Sequence, residues 1–200
     1  GLVAALLDAQ PEEIVFTSGG TEANNLAILG LAAAAPPTRR HLIVSAIEHP
    51  AVMAPARHLA AQGWRLSLLP VDPGGRVRPG DLEAALDGET AFVSVMLANN
   101  EVGTLQPVVE LAALCRARGV PLHCDAAQAV GKIPVNAPNL GVDCLSLAGH
   151  KLYAPKGVGA LYIRRGLALP SLLLGAGQES GRRAGTENVP GIVGLGEAAR

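Results

Sequence analysis

Short apolar runs recur along this chain, each followed by a turn and then by a helical stretch. The runs at 14–17, 42–45, 65–70, 92–97, 122–124, 144–147 and 159–163 are rich in Val, Leu and Ile. They alternate poorly between apolar and polar positions, as strands buried on both faces do. Between them lie helical stretches at 21–34, 51–62, 79–86 and 108–118. The second follows Pro50 and stops at Gly63; the third carries Asp81 near its start. The fourth has Pro107 at its first turn and Gly119 at its end, the usual asymmetry of helix ends. Residues 2–7 read as a short apolar helical turn, and the closing GIVGLGEAAR as a further helix. Alternation of strand and helix over roughly 150 residues predicts a mostly parallel sheet with helices on both faces. No internal repeat, low-complexity linker or heptad interrupts it, and AAAAPPTRR at 32–40 reads as an ordinary loop.

Composition fits this picture. Two hundred residues suffice for one sizeable domain with its own core. Hydrophobic residues make up 49% and aromatic ones only 2%, which fits alanine-rich helices packed on valine-rich strands. The net charge of −1 argues against nucleic acid or an anionic membrane surface as partner. The apolar stretches fall far short of the ~20 residues that span a bilayer, and Leu2–Leu7 lacks the flanks of a signal peptide. Cys115, Cys124 and Cys144 match neither a disulfide framework nor a zinc pattern, so we expect buried, inert thiols and no metal. Such cysteine usage fits a cytoplasmic protein. The chain begins at Gly1 and ends inside an apparent helix, which suggests a segment of a longer protein.

In folds of this kind, ligands bind where strands end and helices begin. After the first strand comes TSGGTEANN: Gly19 and Gly20 allow a tight turn, and Thr21 opens a helix whose free N–H groups could cradle a phosphate. Plain helix capping explains the same residues, and neither GxGxxG nor GxxxxGK[ST] is present. After the second strand, His49 precedes Pro50; its ring could stack on a ligand or cap the next helix. The fourth is followed by Asn99 and Asn100, which offer amides. The fifth ends on Asp125, costly to bury without a cationic partner, with Gln128 a turn further on. The sixth leads into AGHK, with His150 and Lys151. Arginine supplies 13 of the 16 basic residues, so a lysine at a strand end stands out. Unlike arginine, lysine can lose its proton and act as a nucleophilic amine. Taken together, a phosphate cradle, a stacking ring, an acid and a lysine describe a pocket for pyridoxal 5'-phosphate.

The segments FTSGGTEANN, EHPAV, NNEVGT, HCDAAQAVGK, SLAGHKLYAPKGVGALY and GRRAGTENVPGIVGLGEA resemble the cysteine desulfurases of the NifS/IscS type. These are class V members of the fold-type I pyridoxal phosphate enzymes. The resemblance runs from about Pro11 to Arg200. It implies the large domain of that fold over residues 1–200, a three-layer αβα unit with a mostly parallel seven-stranded sheet, lacking the N-terminal segment and the C-terminal small domain. It implies catalytic roles for Lys151, which would hold the cofactor and move protons at the substrate α-carbon, and for His49, which would stack on the ring. Asp125 would face the pyridine nitrogen, and Asn100 and Gln128 the phenolic oxygen. Gly20, Thr21 and His150 would hold the phosphate, with Ala148 and Gly149 in the same cofactor-binding set. Thr186 would reach the phosphate of the other subunit in a homodimer. Many relatives carry serine at position 148; Ala148 lacks that hydroxyl and would bind phosphate through its backbone alone.

The activity so implied is conversion of L-cysteine to L-alanine, with sulfur passed on as an enzyme persulfide to a sulfur-acceptor or iron–sulfur scaffold protein. The resemblance places the persulfide cysteine, and an arginine for the substrate carboxylate, beyond residue 200. On that expectation these residues alone would bind cofactor poorly and not complete desulfuration. A selenocysteine lyase, another class V lyase or aminotransferase, and a non-catalytic scaffold are the alternatives. Retention of Lys151 and Asp125 argues against the last.

Overall fold

The computed structural model describes all residues, 1–200. Helix α1 (Leu2–Leu6) precedes strand β1 (Ile14–Thr17) and the long helix α2 (Gly20–Ala34). Then come β2 (His41–Ser45), α3 (Pro50–Ala61), β3 (Arg65–Leu69), α4 (Pro79–Ala85) and β4 (Thr90–Ser94). The second half holds α5 (Val108–Ala117), β5 (Leu122–Asp125), α6 (Ala137–Leu140), β6 (Cys144–Ala148), β7 (Gly159–Ile163) and α7 (Val189–Ala198). The expected strands and helices are all present, with ends shifted by a residue or two. The larger difference is the fourth strand, expected at 92–97. Its ladder closes at Ser94, yet Val95 and Leu97 still donate to the carbonyls of His123 and Asp125 at 3.1 and 2.8 Å. Helix α6 has too few residues to show a period. Asn136 caps it by accepting from the Asn139 N–H at 2.7 Å, and Gly141 ends it at φ 73°.

One seven-stranded sheet runs in the order β1-β7-β6-β5-β4-β2-β3. Only β7 is antiparallel, to both β1 and β6; the other pairings are parallel. Residues along each strand feed two cores in turn. Leu42, Val44, Phe92 and Cys144 pack with α2 and α3, whereas Ile43, Val93 and Leu145 pack with α1, α4 and α5 on the opposite face. Burial on both faces is why the strand runs show no polar alternation. Helices on both sides give the three layers expected.

This connectivity puts the carboxyl ends of β1, β2, β4, β5 and β6 on one edge, with the start of β7 beside them. Two glycines let the chain turn there. Gly19 has φ 152° and ψ −179°, a region open essentially to glycine. Gly159 faces it: a Cβ at 159 would stand 2.7 Å from the Gly19 carbonyl carbon and 2.7 Å from the Leu147 carbonyl oxygen. Below the edge, on the α2 face, lies a polar row across three strands. Ser94 Oγ bonds His123 Nδ1 at 2.8 Å, and His123 Nε2 bonds Ser146 Oγ at 2.9 Å. His41 is likewise held by Thr90 and Ser67, both at 2.9 Å. The sequence names no partner for either ring, because the partners lie on other strands.

Gly159→Ala should destabilise the fold by about 1–3 kcal/mol, through overpacking against backbone that cannot yield; urea unfolding checks it. Burial pushes the His123 pKa from 6.5 down to about 3. The unfolded chain therefore takes up this proton first, and the stability contribution, complete above pH 6.5, is lost as pH falls toward 3. Thermal midpoints should show wild type losing stability relative to His123→Gln between pH 6.5 and 4.

Candidate active site

A cavity of about 450 Å³ opens at the edge where these strand ends meet. Gly20 and Thr21 line it from the start of α2, and His49 from the start of α3. Asn100 enters from the loop after β4, Asp125 and Gln128 from the end of β5, and Ala148, His150 and Lys151 from β6 and the turn after it. Nine of the eleven site residues expected from the sequence thus meet in one place. Gly149 lies beneath, buried, where a Cβ would strike the Val158 carbonyl oxygen at 2.7 Å. Thr186 lies apart and exposed, beside a separate hollow with Gly157 and Asn188.

The buried Asp125 carboxyl anchors the floor. Its Oδ1 accepts from the Ala127 N–H at 2.9 Å and its Oδ2 from Asn24 Nδ2 at 2.7 Å. No lysine or arginine pairs with it; both donors are neutral. Burial raises its pKa, while the Ala127 N–H, Asn24 and the charge of His49 pull the other way. A carboxyl so placed, 5% exposed and bordering a cavity, suits a cationic N–H donor on a ligand. Asn24 was missed in the sequence; its one signal was a polar residue on a helix face otherwise made of Ala, Leu and Ile.

The cradle is equally open. No side chain caps α2, so the N–H groups of its first turn stay free for an anion. Gly20 fits closely here, since a Cβ would stand 3.0 Å from Ala148 Cβ. Glu22, in the same turn, would repel an anion, but Arg183 holds it through Nε at 2.7 Å and a second nitrogen at 3.2 Å. Arg183 neutralises that carboxylate and ties its own loop to α2. The partly exposed Lys151 follows β6 in a 3-10 turn, and its amine makes no hydrogen bond or ion pair.

The two readings of His49 prove compatible. Its Nδ1 accepts the Ala51 N–H at 3.1 Å and caps α3, and the same side chain lines the cavity with Nε2 left unbonded. The asparagine pair divides its work. Asn99 is structural: its Oδ1 accepts from Glu101 and Val102 N–H at 2.9 and 3.0 Å. Asn100 alone lines the cavity. Gln128 receives Lys132 on its oxygen at 2.5 Å, which leaves its NH₂ as donor. All three cysteines are buried, and burial pushes Cys115 up to about 12 and the other two up as well. None is a ready nucleophile. Lys156 sits exposed beside Pro155 and Gly157.

A mostly parallel sheet with an uncapped helix start, a buried acid and a free amine around one cavity on its carboxyl edge defines an α/β domain with a candidate ligand site there. The aminotransferase class-V family model matches residues 1–200, and the chain belongs to that family. It is 53% identical over 197 residues to a cysteine desulfurase of Nostoc sp., covering 98% of this chain and 49% of that protein. Among solved structures, a NifS-like protein superposes with a TM-score of 0.96 at 42% identity, covering 99% of this chain and 55% of the other. SspA, solved in complex with cysteine, superposes with a TM-score of 0.95 at 41% identity, covering 99% and 58%. The chain thus spans about half the length of the curated relatives it matches, and its sheet is the fold-type I large-domain sheet expected from the resemblance.

Ala148→Ser would add one hydroxyl beside Gly20. Cofactor affinity should then tighten about fivefold, the worth of one hydrogen bond of ~1 kcal/mol. Fluorescence titration with pyridoxal phosphate measures it, and an unchanged dissociation constant would refute the hydroxyl's role.

Proposed function

We propose that this chain is the cofactor-binding large domain of a pyridoxal phosphate-dependent cysteine desulfurase. The convergence of the Lys151 amine, the buried Asp125 carboxyl and the uncapped start of α2 on one cavity carries the reading. The residues fit the cofactor group by group. The free N–H groups of α2 and the His150 ring suit its phosphate, and Asp125 its pyridine nitrogen. His49 suits its ring face, and the amides of Asn100 and Gln128 its phenolic oxygen. The class V family and the named desulfurase relatives support the same assignment.

Bound pyridoxal phosphate supplies an electron sink that withdraws charge from the substrate α-carbon. The protein supplies the rest. Asp125 keeps the pyridine nitrogen protonated, because a neutral ring would leave the buried carboxylate unpaired. Lys151 is the residue whose amine would hold the cofactor, and the same amine would carry a proton at the substrate α-carbon. His49 would stack on the ring, and with Nδ1 committed to the Ala51 N–H its other nitrogen would be the one to give a proton. L-cysteine enters and L-alanine leaves; the sulfur passes as a persulfide to a cysteine outside these residues and on to an acceptor or iron–sulfur scaffold. The buried thiols here support that division, since none can reach the cavity as a thiolate. The structure solved with cysteine supports the substrate. Thr186, exposed and away from its own cavity, suits a homodimer in which it completes the partner's phosphate site. No helix is long and apolar enough to cross a membrane, and a cytoplasmic setting belongs to the same reading.

The full-length protein, loaded with pyridoxal phosphate, reduced with borohydride and digested, should carry a phosphopyridoxyl group on Lys151 by mass spectrometry. No label, or label on Lys132 or Lys156, overturns the assignment. Lys151→Ala should lower L-alanine formation by at least ~10²–10⁴-fold.

A further inference from the structure

Two buried polar atoms in the chain lack a hydrogen-bond partner: Asn24 Oδ1 and Glu48 Oε2. Both belong to residues around Asp125. Asn24 donates to it, and Glu48 is close enough to feel its charge. Glu48 lies between the end of β2 and His49, buried. Its Oε1 accepts from Ser45 Oγ at 2.5 Å and from the Met96 N–H at 2.8 Å. The carboxyl therefore bolts the β2–α3 loop to the segment after β4. Asn99 adds a second bolt, donating to the Ile47 carbonyl at 3.2 Å. His49 lines the cavity from one side of this joint, Met96 and Asn100 from the other. No lysine or arginine hydrogen-bonds or pairs with Glu48. The titratable groups facing it are Asp125 and Cys124 on β5, with His49 next in sequence.

We propose that Glu48 is a positioning residue that works as a neutral acid: it locks the His49 loop to the Met96–Asn100 segment and leaves Asp125 the only anion beneath the cofactor. Two carboxyls in one dry compartment cannot both ionise cheaply, so the better-solvated one takes the charge. Asp125 has donors on both oxygens and His49 nearby. Glu48 has donors on one oxygen and none on the other. Burial, and secondarily the charge of Asp125, pushes the Glu48 pKa from 4.5 up to about 8, against the pull of Ser45 and Met96. Once ionised, Glu48 has a bare buried oxygen and no cation, so its charge is driven toward water and the joint opens under His49.

The inference rests on the cavity being the pyridoxal phosphate site, so its test has an arm that needs no cofactor. Glu48→Gln mimics the neutral acid: it keeps the acceptor for Ser45 and Met96 and cannot ionise. In the full-length apo-protein, the Glu48 contribution is complete below pH 4.5 and lost as pH rises to about 8. The thermal midpoint of wild type should therefore fall relative to Glu48→Gln between pH 5 and 8, then run level; parallel curves overturn the proposal. In the second arm, pyridoxal phosphate dissociation constants are compared. The ratio of wild type to Glu48→Gln should be near one at pH 7 and rise about tenfold by pH 9, as one proton of pKa about 8 is lost. A flat ratio overturns the proposal. So does a falling one, which would mean that the ionised carboxylate stays in place and supports the ring. Glu48→Ala should weaken binding at every pH, with Gln restoring it; should the alanine variant not fold, the wild type-to-Gln ratio decides. If borohydride labels no lysine, the cofactor assignment fails while the apo-protein midpoints still report the Glu48 proton.

Discussion

A buried carboxyl at the end of the central strand is the constraint around which this molecule is arranged. Asp125 ends β5 with helices packed on both faces of the sheet and only 5% of its surface exposed, at the cavity. An isolated charge there would cost several kcal/mol. The chain answers with neutral donors alone: the Ala127 N–H from its own loop and the Asn24 amide from α2. These hold the carboxyl without discharging it. What remains is an anion with one face to a cavity, and hence a preference for a cation that arrives with a ligand.

The neighbouring elements serve the same end by other means. α2 must bring Asn24 over β5 and yet begin with free N–H groups. Gly159 makes that possible by letting the turn pass against β7 where a Cβ would collide with it, and Gly19 by adopting φ 152°. Arg183 covers Glu22, which would otherwise place a negative charge in the cradle. Beneath the site, His123 lies on the same strand as Asp125 yet is spent on two serines. Held neutral, it adds no charge to the floor. Electrostatics at the edge are thus set less by the charges present than by those kept silent: a buried histidine, a covered glutamate, and a second carboxyl at Glu48.

Much of this was legible in order along the chain. Doubly buried strands announce themselves as unbroken Val, Leu and Ile runs, and Pro and Gly mark the ends of α3 and α5, because backbone sterics act locally. The polar residues after each strand were readable for a topological reason: parallel strands deliver their carboxyl ends to one edge, so loops distant in sequence meet. Lysine in an arginine-rich chain was a chemical signal at a single position. Where the reading stopped, the missing information lay in pairings between strands. The tail of the fourth strand looked like ladder because it bonds like ladder. α6 was too short to show a period. His41 and His123 had no sequence neighbour to explain them.

The sequence by itself therefore determined the fold class, most of the elements and a set of candidate residues, since propensity, patterning and residue type are local properties. Only the tertiary structure decided what those residues are to one another. It made Asn24, 101 residues away in sequence, the partner of Asp125. It sent Asn99 into a loop and Asn100 into the cavity, and let His49 cap a helix and line the cavity at once. It also set Glu48 beside Asp125 with half its carboxyl unsatisfied. Burial and hydrogen bonding fix ionisation, and both are counted over atoms brought together from different strands, which no stretch of sequence contains.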